Sequence, residues 1–84
     1  MAGLYGTLES DMTIEGRDKR FGVIAVEKGF ISEEQLFEAL KIQVQEDLSG
    51  KSHSLIGVIL VRLGYLTHKQ AEEVLLVMRT KQRI

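Results

Sequence analysis

Histidine, serine and carboxylate side chains carry the chemistry available to this sequence, and their spacing assigns them no reaction. His53 lies in a polar stretch and His68 just inside a helix start, neither with a carboxylate or second histidine at a metal-ligand spacing. Both read as surface residues. Ser52, His53 and Ser54 set serine beside histidine along the chain. A nucleophile and its base must instead be arranged in space with an oxyanion hole, and nothing here supplies one. Glu33, Glu34, Glu38, Glu46 and Asp47 read as a solvated acidic face rather than an acid–base pair. No Gly-rich lysine loop marks a nucleotide triphosphate site. The absence of cysteine removes thiolate, disulfide and cysteine–zinc chemistry. The chain is expected to be no enzyme and to use no cofactor.

The formal net charge of -1 gives no electrostatic case for nucleic acid. Arg79, Lys81 and Arg83 sit where a helix C-terminus favours cations. No apolar run approaches the ~20 residues of a membrane span, and the N-terminus lacks a secretory pattern. These features predict a cytoplasmic protein without a membrane span.

The elements that position these residues come in two copies. At an offset of 35, Gly22, Val23, Ile24 and Val26 meet Gly57, Val58, Ile59 and Val61, and Gly29, Gln35, Glu38 and Leu40 meet Gly64, Gln70, Glu73 and Leu75. Phe30, Ile31 and Ser32 pair conservatively with Tyr65, Leu66 and Thr67. Each copy reads as a short helix, a glycine turn and a longer helix. Gly29 and Gly64 stand where a helix end wants a left-handed residue. Ser32 with Gln35 and Thr67 with Gln70 fit capping boxes.

The first long helix is expected to bury Leu36, Leu40, Val44 and Leu48, with Phe37 beside them, and the second Ala71, Val74, Leu75 and Met78. Leu55 to Leu63, apolar nearly all round, predicts a helix buried on several sides. β-Branched residues in both short segments leave strand as the rival, and the flanking caps favour helix. The expected fold is all-α: two tandem helix-turn-helix repeats packed as a small four-helix domain. Residues 1–16 are expected to form a flexible arm and 17–84 a single helical domain, with repeat one at 20–43, a linker at 46–54 and repeat two at 55–78.

This pattern resembles the N-terminal domain of the ATPases that power type II secretion and type IV pilus assembly, a bacterial family whose tandem motif binds cyclic di-GMP in some members. Arg20, Gly22, Gly29, Leu36, Leu40 and Gln43 match that motif, Ile31 is conservative, and Phe21 and Ala25 replace leucines. The second copy keeps Gly57, Leu60, Gly64, Leu66 and Leu75, with Ile56 conservative. Leu55 replaces the motif's arginine, Ala71 a leucine and Met78 the glutamine. The resemblance implies ligand contacts from Arg20, Phe21, Gly22, Leu36, Leu40 and Gln43, and from Ile56, Gly57 and Leu60, with Gly29 and Gly64 as structural turns. In that role a helix N-terminus near Gly22 or Gly57 receives the anion, the guanidinium meets a base, and the amide reads a base edge. Without the motif, Arg20 is a solvated base at a helix start and Gln43 a surface residue. Gly22 and Gly57 then merely let two helices approach.

Two functions remain. One is a protein-interaction module that docks on a partner or on itself through surplus apolar residues at Leu63, Leu76, Val77 and Ile84. The other is a cyclic di-GMP sensor built on the first copy, completed across a homodimer that brings two such copies together.

Overall fold

The computed structural model describes residues 14–82, as four α-helices with no strand among them. They are α1 (Ile14–Glu27), α2 (Glu33–Leu48), α3 (Ile56–Arg62) and α4 (His68–Gln82). The chain is all-α, and the rival strand reading of the short segments is set aside. Most of the expected N-terminal arm lies outside the described residues. Its last three residues, Ile14 to Gly16, are helical, so α1 has 14 residues rather than being short. Arg20 therefore sits in mid-helix and not at a helix start.

The helix ends follow their local chemistry. Gly29 and Gly64 adopt φ of 79° and 84°, in the left-handed region where a side chain is penalised. Around each, the glycine N–H donates three residues back, to Val26 O or Val61 O, and the next N–H donates five back, to Ala25 O or Leu60 O. This pairing satisfies carbonyls left over at the helix end. Ser32 Oγ accepts from Gln35 N at 3.1 Å while Gln35 Oε1 accepts from Ser32 N at 2.9 Å. Thr67 and Gln70 exchange the same two bonds, each at 3.0 Å. Gly50, with φ 80°, closes α2 in like manner, with Lys51 N donating to Glu46 O.

The core is centred on α3, which packs on each of the other three helices. Ile56, Ile59 and Leu60 are fully buried there, surrounded by Phe21, Ile24 and Ala25 of α1, Leu36 and Ala39 of α2, and Val74 and Met78 of α4. Ile31 and Leu66, the residues after each glycine turn, complete it. A helix of seven residues is too short to persist alone, so its place at the centre is what sustains it.

Two expected stripes are corrected. On α2 only Leu36 of the predicted set is buried and Leu40 is half-buried, while Val44, Leu48 and Phe37 face solvent. Ala39 and Ile42 take up the inward positions instead, because α2 packs on α3 and α1 with one side and the other side meets neither. On α4, Val74 and Met78 are buried, Ala71 is half-buried and Leu75 is exposed.

Candidate functional site

Several residues of the first motif copy are engaged inside the fold. Gln43, half-buried on α2, donates its Nε2 to Asp18 Oδ2 at 2.7 Å and to Ser54 O at 2.8 Å. The other carboxylate oxygen of Asp18 accepts the N–H of Ile56 at 2.7 Å. Ile56 opens α3, and the preceding residue, Leu55, has no side chain able to cap it. Asp18 thus supplies the cap from α1, and an anion does occupy a helix N-terminus here: it is the chain's own carboxylate. A negative group at that position also complements the helix dipole.

The two motif glycines serve close packing. A Cβ built on Gly22 would lie 2.5 Å from Leu36 Cδ1, and one on Gly57 would lie 2.9 Å from Phe21 Cζ. Gly22 lies within α1, where its amide belongs to the helix interior and not to an N-terminus. Phe21, Leu36, Ile56 and Leu60, also named by the resemblance, are core residues, and Leu40 is half-buried against them. Arg20 is exposed on α1. Of the predicted site residues, Phe21 and Gly57 meet at one place, and Gln43 and Ile56 meet through Asp18, which sequence reasoning did not single out.

That first place opens onto solvent. Between α1, α3 and α4 runs a groove of about 690 Å³, lined by Phe21, Leu55, Val58, Val61, Leu75 and Met78 among others, with Gly57 in its wall. Val58 and Leu75 stay 52% and 53% exposed on its edges. Arg17, His68 and Arg79 supply its polar rim. Asp18 also reaches it, but both of its oxygens are committed to Ile56 and Gln43. Leu55 and Met78, the residues standing where the motif has arginine and glutamine, therefore lie in a single apolar cleft.

Other polar groups are paired on the surface. Arg62 bonds Glu46 at 3.0 Å, His53 Nδ1 meets Asp47 at 3.0 Å, and Tyr65 donates its hydroxyl to Glu38 at 2.6 Å. That hydrogen bond, with partial desolvation and the carboxylate's charge adding to it, raises the Tyr65 phenol above its ordinary value. Among the described residues, no three histidines or acids are grouped to hold a metal, and no helix is long and apolar enough to cross a membrane.

The expected apolar surplus is found at Leu76, and most of the exposed apolar surface lies elsewhere than predicted. Leu63 and Val77 pack partly against the core, Leu76 is exposed, and Ile84 lies outside the described residues. The larger exposed set is Phe37, Val44 and Leu48 on α2 and Val58 and Leu75 at the groove, with Leu55 beside them.

No protein-family model, curated protein or solved structure matches the chain.

Proposed function

We propose that this chain is a non-catalytic interaction module, akin to the N-terminal domain of the secretion and pilus-assembly ATPases, that receives an apolar helix of a protein in the groove between α1, α3 and α4. The observation that carries the reading is the joint position of Leu55 and Met78. Where a dinucleotide site would place a guanidinium and an amide, the groove has two apolar side chains beside Phe21, Val58 and Leu75. Such a surface gains by shedding water against another apolar surface and has little to offer a charged ring. Helix-in-groove recognition needs this kind of cleft with a polar rim.

A cyclic di-GMP sensor would have to take Gln43 away from Asp18 and Ser54, leaving a part-buried carboxylate oxygen and a carbonyl without that donor. Two titrations followed by amide NMR test the choice. An amphipathic model helix of leucine and glutamate is expected to shift the amides of Val58, Leu75 and Arg79, and a Val58→Glu variant is expected to lose those shifts. Cyclic di-GMP is expected to shift nothing. Saturable shifts around Arg20 and Gln43 with the dinucleotide, or no response to the helix, would overturn the reading.

A further inference from the structure

The groove has a counterpart on the same chain. Phe37, Val44 and Leu48 are 61%, 54% and 82% exposed on α2. At about 100° per residue they fall within about 40° of one another, on the side opposite the buried Ala39. They make one apolar ridge pointing away from the core. Large apolar side chains held together in solvent mark an interaction surface.

Ridge and groove agree in length and in charge. From Phe37 to Leu48 is a rise of eleven residue steps, about 16 Å of helix, and the α4 wall of the groove from His68 to Arg79 spans the same eleven steps. The exposed acids Glu33 and Glu34 flank the start of the ridge, whereas Arg17 and Arg79 rim the groove. The α2 sequence carries five acids, Glu33, Glu34, Glu38, Glu46 and Asp47, against one base, Lys41. Of these, Glu46 and Asp47 are already paired within the chain, with Arg62 and His53, and Glu38 with Tyr65. Glu33 and Glu34 remain on the exposed N-terminal turn, suited to meet a basic rim.

One molecule cannot join the two by itself: α2 and α4 make no contact with each other, being separated by α1 and α3. From these observations we propose that the occupant of the groove is the α2 ridge of a second copy of this chain, laid antiparallel to α4 with Glu33 and Glu34 toward Arg79. This deepens the docking function proposed above and rests on it. The contact is head-to-tail, because the surface given differs from the surface received, so a reciprocal pair or a growing array results.

A heterologous contact makes a specific prediction for mixtures. Val58→Glu spoils the groove and leaves the ridge whole, and Phe37→Glu does the reverse. In sedimentation velocity the unmodified full chain is expected to gain mass with concentration, and each variant alone is expected to stay monomeric. An equal mixture of the two is expected to form a one-to-one dimer and nothing larger, since only one ridge and one groove remain. Leu75→Glu with Leu48→Glu repeats the test with independent positions, and far-ultraviolet circular dichroism checks that each variant keeps its helices. A wild-type chain that stays monomeric overturns the proposal, as does a dimer that survives in both variants or a mixture that fails to associate. Self-association lost on deleting residues 1–13 but kept in Val58→Glu would assign the contact to those residues and equally overturn it. The Phe37→Glu protein keeps an open groove, so its titration with the leucine–glutamate helix separates the two readings: binding there beside a monomeric wild type leaves the docking function standing and removes only the second copy as occupant.

Discussion

Gln43 on α2 and Asp18 on α1 meet at 2.7 Å, and through that one carboxylate three helices are joined, since its second oxygen caps α3 at Ile56. The contact links residues 25 and 38 positions apart. It fixes where α3 begins although Leu55, in the capping position, cannot do so.

Removing Asp18 by Asp18→Ala leaves the first amide of α3 and the Gln43 amide without their acceptor. A loss of about 2–3 kcal/mol is expected, the range for a charge-assisted bond and a cap together. Gln43→Ala is expected to cost about 1–2 kcal/mol, and the double variant less than the sum by about 1 kcal/mol. Urea unfolding of the four proteins gives the cycle. Strict additivity would show that the two side chains do not act as one unit.

Gly22 and Gly57 occupy matching positions in the two copies yet face different neighbours. Alanine is favoured over glycine in a helix by about 0.5–1 kcal/mol, against which the new methyl must find room. At Gly57 it meets the rigid ring of Phe21, and at Gly22 the movable end of Leu36. Gly57→Ala is therefore expected to destabilise by about 1–2 kcal/mol, and Gly22→Ala to lie closer to neutral. Equal effects in thermal unfolding would contradict the packing described.

At the turns the reason for glycine is the backbone alone, because a Cβ on Gly29 or Gly64 would meet nothing within 4 Å. Alanine at either position is expected to cost about 1–2 kcal/mol through its positive φ. Asparagine, which tolerates that region, is expected to cost less. Denaturant midpoints of the alanine and asparagine variants test the order.

Tyr65 gives a pH signature. Its phenol is raised in the folded chain by the hydrogen bond to Glu38. The stability this adds is whole below the ordinary tyrosine range and is lost as pH rises through the raised folded value. Spectroscopic titration of the phenolate is expected to place Tyr65 above the ordinary value, and Glu38→Gln to bring it back. Tyr65→Phe, which leaves Tyr5 as the only tyrosine, identifies the signal. A Tyr65 titration unchanged by Glu38→Gln would refute the bond.

Much of the fold was legible because its punctuation is local. Gly29, Gly64 and the Ser32 and Thr67 caps act on neighbours within five residues, so residue type and spacing announce them. What was not legible was non-local. Asp18 has no local sign of being a cap, and the only hint was a leucine where a capping residue should stand. Val44 and Leu48 satisfy a helical period while facing water, since periodicity marks one side of a helix and not what lies against it. The fold brings some of the motif residues against one another, the two glycines among them. Their partners, Leu36 on Gly22 and Phe21 on Gly57, are side chains of the chain itself.

The Asp18 cap also sets an order of assembly. α3 has seven residues, and a helix so short barely outlives its own nucleation in water. Its first amide waits for a carboxylate that arrives only when α1 has docked, across a separation of 38 residues. Closing that loop costs entropy before any contact repays it. The helix at the centre of the core is accordingly expected to be the last to form: substitutions such as Ile59→Val should speed unfolding and leave the refolding rate nearly unchanged.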